Sequence, residues 1–150
     1  MTTIVYRDGI IAYDSRKTMG DLITDDNYNK LKRSGSAVFI FCGSPSDFEG
    51  FIKMYEGGDC IKGMDSAAIV FDKGSLYYVG VGDEDGFFIN PMDDIPFAIG
   101  SGYRHAYTAM DMGATASVAV RMAIKRDILT GGRVRTFKIP GYAKRLTKTD

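Results

Sequence analysis

Met1-Thr2-Thr3-Ile4-Val5-Tyr6-Arg7-Asp8-Gly9-Ile10-Ile11-Ala12-Tyr13-Asp14 opens the chain, and its reading decides the fold. Two apolar runs flank Asp8-Gly9, the dipeptide that best tolerates the positive φ angles of a two-residue hairpin turn. The spacing predicts a strand, a turn and a strand, with Thr2 at the tip of the first. Once Met1 is removed, Thr2 carries a hydroxyl and an α-amine on one residue. The side chain can then act as nucleophile while the residue's own amine takes the proton. Alone, Thr2 and Thr3 read equally well as ordinary strand residues near a frayed terminus; the downstream sequence separates the two readings.

With 150 residues, 45% hydrophobic and 25% charged, the chain suits one globular domain that buries most of its apolar surface. Lys plus Arg (19) equals Asp plus Glu (19), which removes any bulk electrostatic argument for a nucleic-acid or anionic-membrane partner. There is no basic-then-apolar leader pattern, and no apolar run approaches the roughly 20 residues that span a bilayer. A soluble, cytoplasmic protein is the expectation. Cys42 sits in an apolar run and Cys60 in a Gly-rich link, a pattern that suits a reducing compartment. His105 is the lone histidine and no His/Cys cluster accompanies it, so there is no case for a metal. Gly100-Ser101-Gly102 lacks the rest of any nucleotide fingerprint, and no cofactor is expected.

Along the chain, Ser15 to Gly20 lacks a clear period and Thr24-Asp25-Asp26-Asn27 is turn chemistry. Tyr28 to Arg33 alternates loosely as a strand, which would set Lys30 on a rigid element. Ala37-Val38-Phe39-Ile40-Phe41-Cys42 has no polar face and reads as a strand covered on both sides, central in its sheet. Helix-start signals follow: Ser44 as N-cap, Pro45 at the first helical position and Asp47 three residues after the cap. Phe48, Phe51, Ile52 and Tyr55 make the apolar stripe of a short helix that Glu56-Gly57-Gly58-Asp59 ends. Ser66 to Phe71, Ser75 to Val81 and Phe87 to Ile89 read as strands of an antiparallel meander, with Gly82 to Gly86 as the second link. After a strand at Pro96 to Ile99, helical patterns run from Tyr103 and from a cap at Thr115 to about Leu129. Val134 to Ile139 makes a last strand before Pro140-Gly141 and a basic tail. This order predicts an α+β layer structure, two antiparallel sheets face to face with helices outside.

At several points the chain resembles the proteasome β-subunit and HslV family of N-terminal nucleophile hydrolases. Thr2-Thr3-Ile4-Val5 is similar to the start of the HslV-type peptidase. Asp14-Ser15-Arg16-Lys17-Thr18-Met19-Gly20 resembles the D-x-R-x-T-x-G stretch of the β-subunits, and Asn29-Lys30-Leu31 their lysine strand. Cys42-Gly43-Ser44-Pro45-Ser46-Asp47 is similar to their A-G-x-x-A-D turn. Ile99-Gly100-Ser101-Gly102, with Tyr107, matches their G-S-G helix start, and Arg126-Asp127-Ile128-Leu129-Thr130-Gly131-Gly132 their R-D-x-x-S-G-G. In that order the matches span nearly the whole chain. The resemblance implies a four-layer αββα sandwich in a single domain, with two antiparallel sheets and a reduced first helix layer.

It also implies roles. Thr2 would be the nucleophile, and Lys30, held by Asp14, a cation beside it that favours the neutral amine and the alkoxide. Gly43 would offer its N–H to the oxyanion. Ser101, Asp127 and Thr130 would surround the Thr2 amine, Thr130 keeping the hydroxyl of the family's serine. Arg16, Thr18, Phe41 and Pro45 would border the substrate, with Phe41 as a bulky wall favouring small side chains. The implied activity is threonine-type peptide-bond hydrolysis after loss of Met1, on a peptide or unfolded protein, within a homo-oligomer such as a ring and with an ATPase unfoldase as partner. Two rivals stand beside it: a small-molecule amidase and a non-catalytic assembly subunit. Two departures matter. Family members carry two long helices between the positions of Asp47 and Ser66 that make ring contacts, where one short helix fits here. Pro45 stands where the family uses a backbone N–H to pair with substrate, and proline has none.

Overall fold

Asp8 and Gly9 both adopt positive φ, 49° and 78°, and close the hairpin of β1 (Thr3–Arg7) and β2 (Ile10–Tyr13) as expected of a type I′ turn. The computed structural model describes residues 2–59, 63–82 and 86–143. Met1, Cys60, the Asp83 to Asp85 part of the second meander link and the basic tail from Lys144 lie outside the described residues.

The hairpin forms the middle of the first sheet. Antiparallel β10 (Phe97–Gly100) pairs with β1, and β11 (Arg135–Lys138) with β2, giving the order β10-β1-β2-β11. The second sheet is an antiparallel meander of β5 (Leu31–Ser34), β6 (Ala37–Gly43), β7 (Ser66–Asp72), β8 (Ser75–Gly82) and β9 (Gly86–Pro91). β6 is covered on both faces as its apolar run predicts, but β7, not β6, is the middle strand.

Period-two alternation sorts the side chains into layers. Ile40 and Ile69 from the second sheet meet Ile4, Tyr6, Ile11, Tyr13 and Ile99 from the first, filling the space between sheets. Phe39 and Phe41 point the other way, onto Phe48 and Phe51 of α1 (Phe48–Tyr55). On the far side, Val5, Ala12 and Ala98 pack under Ala106 and Met110 of α2 (Tyr103–Asp111) and Ala119 and Val120 of α3 (Ala116–Arg126). The result is helix, sheet, sheet, helices, with α1 alone described in the first layer.

Three local expectations need correction. The unperiodic stretch after Asp14 holds a separate hairpin, β3 (Lys17–Met19) and β4 (Leu22–Asp25), turned at Gly20 with φ 61°. Met19, Leu22 and Ile23 are exposed there, so no buried stripe marked it in the sequence. Lys30 precedes β5 instead of lying within a strand, although its carbonyl accepts the Phe41 N–H at 3.0 Å, which fixes it to β6. The α3 pattern ends at Arg126, three residues early, because the Asp127 backbone turns extended at φ −98°, ψ 114°.

Candidate active site

Thr2 and Asp14 enter the site from the end of the β1–β2 hairpin in the first sheet, whereas Lys30, just before β5, and Gly43, the last residue of β6, come from the second. Pairing of Ile4 with Tyr13 brings Thr3 and Asp14 together at one end of the hairpin. There the Thr3 N–H donates to Asp14 Oδ1 at 3.1 Å. The same oxygen receives Lys30 Nζ at 2.8 Å, and Asp14 Oδ2 receives the N–H groups of Gly131 at 2.9 Å and Arg16 at 3.3 Å. Four donors thus satisfy a carboxylate that is 0% exposed.

Lys30, 3% exposed, also donates from Nζ to Thr2 Oγ1 at 2.7 Å. Burial pushes its pKa below the ordinary lysine value, and the Asp14 charge pulls it back. An ammonium offers protons and accepts none, so the Thr2 hydroxyl proton is left free to go to another base. Gly43 lines the same small cavity as Thr2 and Lys30. Its φ of 113° lies in the region that favours glycine, and a Cβ there would strike the Asp65 carbonyl and Ser66. A side chain at this position is excluded twice over.

On the other flank, Ser101 Oγ and Thr130 Oγ1 each donate to Asp127 Oδ2 at 2.5 Å. Thr130 has spent its proton on Asp127, so in the 2.8 Å contact with Thr3 Oγ1 the donor is Thr3. Thr3 Oγ1 in turn accepts the Gly102 N–H at 3.1 Å. The Ser101 N–H caps the Thr2 carbonyl at 2.8 Å. Partial burial alone would raise the Asp127 pKa, but the hydrogen bonds from Ser101, Thr130 and the Leu129 N–H outweigh it and hold the carboxyl below its usual value.

The overall fold is shared with several solved structures. The crystal structure of eukaryotic HslV from Trypanosoma brucei superposes with a TM-score of 0.66 and 18% identity, covering 91% of this chain and 97% of that one. This chain has the HslV-type N-terminal nucleophile hydrolase fold. Thiobacillus denitrificans BPH gives a TM-score of 0.65 at 17% identity, covering 94% and 99% of the two chains. Its complex with epoxomicin gives 0.63 at 17%, covering 92% and 98%. No protein-family model and no curated protein matches the sequence. At such identities the likeness concerns the fold, here in a form with a reduced first helix layer.

Within this HslV-type fold the residues expected to border substrate divide. Arg16, Thr18 and Pro45 line the cavity beside Thr2, together with Lys17, Tyr28 and Phe48. Phe41 does not. It is fully buried and its ring stacks under Phe48 at 4.1 Å, so Phe48 is the wall and Phe41 its support. Phe48 opens α1 directly after the 3-10 turn Pro45–Asp47, stays in the core as its place in the apolar stripe predicts, and borders the cavity as well. Arg16 is anchored by a two-pronged contact to Asp26 at 2.8 and 3.2 Å and by the Ile128 carbonyl at 2.9 Å. Thr3, Lys17, Tyr28 and Phe48 were the residues missed. Thr3 had a signal, since strand alternation must turn it away from Thr2 and into the Asp127 side.

The cavity at Thr2 measures about 30 Å³. A groove of about 710 Å³ between α2 and α3 shares no residue with the site, so size alone does not locate the chemistry here. Among the described residues no group of His, Cys, Asp or Glu is arranged to hold a metal ion, and no helix is long and apolar enough to cross a membrane.

Proposed function

We propose that this chain is a threonine-type amide hydrolase that cleaves peptide bonds through an acyl-enzyme on Thr2 after Met1 is removed. The observation that carries the reading is the buried Lys30 ammonium 2.7 Å from Thr2 Oγ1, held on its other side by Asp14 at 2.8 Å. In the first step the Thr2 amine takes the hydroxyl proton, Oγ bonds to the substrate carbonyl carbon, and the Gly43 N–H receives the oxyanion. The C–N bond then breaks as the amine's proton passes to the leaving nitrogen. Water, deprotonated by the same amine, adds to the ester, releasing a carboxylic acid and regenerating Thr2. Lys30 favours the alkoxide and disfavours protonation of the amine. Ser101, Asp127 and Thr130 orient that amine through Asp127 and Thr3.

Two features favour a second reading, an amidase for small molecules: the cavity of about 30 Å³ and a proline at position 45, where a donor to an extended peptide is missing. A homo-oligomer, ring or otherwise, is supported by apolar side chains left exposed on the β3–β4 hairpin and at Ile128; an ATPase partner follows from the resemblance alone.

A peptide epoxyketone tests the reading, because its two adjacent electrophilic carbons close a ring only on a residue with both a hydroxyl and a free α-amine. Intact mass and N-terminal sequencing should show a Met-free chain with one adduct, absent in Thr2→Ala, and turnover of short peptides. An adduct without peptide turnover favours the small-molecule amidase. A Met-free chain with no adduct sinks both and leaves an assembly subunit.

A further inference from the structure

Gly43 borders two cavities. The one beside Thr2 and Lys30, about 30 Å³, has room for roughly one water-sized group. The second, about 190 Å³, is lined by Cys42, Ala67, Tyr78, Phe88 and Gly100 besides Gly43, with Asp65 and Ser66 as its polar lining. No other residue is common to the two linings. A substrate whose carbonyl oxygen sits on the Gly43 N–H therefore reaches both.

Chemistry assigns the sides. The small cavity lies on the side-chain face of Thr2, at Lys30. The larger one lies at Gly100, the residue paired with Thr3 and followed by Ser101, whose N–H holds the Thr2 carbonyl at 2.8 Å. That is the backbone side of Thr2, where its amine returns the proton to the leaving nitrogen. We propose that the 190 Å³ cavity receives the substituent of the leaving amine, and that the substrates are amides with at most a methyl side chain on the acyl side and a ring-sized apolar group on the amine side. The inference rests on the hydrolase reading above and names its substrate class.

The walls fit such a guest. A dry apolar cavity of about 150 Å³ suffices for a benzene ring. Phe88 leans over Gly80, where a Cβ would press on its ring at 2.6 Å, and meets Tyr78 edge-on at 5.3 Å. This leaves one aromatic wall on the inter-sheet face that Cys42 and Ala67 share. Burial pushes the Cys42 thiol up to about 11, so it lines the cavity as a small neutral group and offers no second nucleophile at neutral pH.

Two capped peptides that differ only after the cleaved bond, one carrying Ala-Phe and the other Ala-Gly, read the preference directly. The native enzyme should show a kcat/KM at least about tenfold higher on Ala-Phe. Ala67→Phe, which fills the cavity from the face that Ala67 shares with Cys42 and Tyr78, should bring the ratio close to one, and Phe88→Ala, which widens it, should move the preference toward Ala-Trp. A ratio near one in the native enzyme, or a ratio unmoved by both substitutions, overturns the inference while epoxyketone labelling of Thr2 still stands. Absence of that labelling removes the hydrolase reading and this inference together.

Discussion

Asp14 is the residue on which most of the site's geometry converges, and its environment lets two substitutions at one ion pair be ranked. Lys30→Met leaves a buried carboxylate without its cation, which costs about 3–5 kcal/mol. Asp14→Leu breaks the same pair and also strands the buried N–H groups of Thr3 and Gly131, each worth about 1–3 kcal/mol when unpaired. Urea unfolding should therefore place Asp14→Leu below Lys30→Met; equal midpoints would mean that those N–H groups find other partners. On the hydrolase reading, Lys30→Met should also slow acylation about 10²–10³-fold, the scale for losing one preorganised electrostatic partner. Asp127 gives a pH signature. Its folded pKa lies below the ordinary 3.8, so the charged carboxylate's hydrogen bonds stabilise the fold above pH 3.8, and that contribution is lost as pH falls through the folded value. Asp127→Asn should be less stable than the native chain at neutral pH, with the gap closing below about pH 3.8. A gap that is constant from pH 7 to pH 2 would contradict the assignment.

At the scale of elements, two positions with the same sequence signal behave differently. Thr115 takes the N-cap of α3 at φ −68°, ψ 167°, and its hydroxyl accepts the Val118 N–H at 3.3 Å. Ser44 looks equally like a cap in the sequence, yet its hydroxyl bonds Ser46 at 2.8 Å and no backbone N–H, because Pro45 to Asp47 forms a 3-10 turn before α1. Thr115→Ala should lower stability by about 1 kcal/mol in thermal unfolding, whereas Ser44→Ala should stay within about 0.5 kcal/mol. A drop at Ser44 as large as at Thr115 would argue against the observed turn. The contrast also explains what the sequence could reveal. Periodicity marks elements that bury one face, so β1, β2, β6, α1, α2 and α3 were legible within a few residues. The β3–β4 hairpin buries no stripe and stayed invisible: Gly20 is its turn, and Thr24 and Asp25, expected as turn chemistry, close its second strand. In the site, Thr2, Asp14, Lys30 and Gly43 were named from motifs whose spacing the fold preserves. Phe48 sits in the core as its place in the stripe predicts, and it also borders the cavity in place of Phe41, a second role that depends on the Pro45–Asp47 turn before it.

For the molecule as a whole, the decisive feature is that the site straddles two sheets. Thr2 and Asp14 flank the hairpin strands of the first sheet, Lys30 precedes β5 and Gly43 ends β6 of the second, and the 2.7 Å contact from Lys30 to Thr2 crosses the gap between them. What sets that gap is the apolar layer of Ile40 and Ile69 against Ile4, Tyr6, Ile11 and Ile99. Close-packed layers transmit a local loss of volume as a shift of their neighbours, so a truncation there should disturb catalysis beyond its effect on stability. Ile69→Ala, at 0% exposure in the middle strand, should cost about 2–5 kcal/mol and let the sheets approach or tilt. Val120→Ala is as deeply buried but lies between α3 and the outer face of the first sheet, where collapse moves a helix and leaves the gap alone. On the hydrolase reading proposed above, and assayed far below both unfolding midpoints, where each protein is fully folded, Ile69→Ala should lose at least about tenfold in kcat, since misplacement by an ångström or less is enough at an oriented nucleophile. Val120→Ala should keep the native kcat. Equal kcat for both variants would mean that the hydrogen bonds around Asp14 alone fix the distance between Lys30 and Thr2, and that the inter-sheet layer contributes stability without alignment.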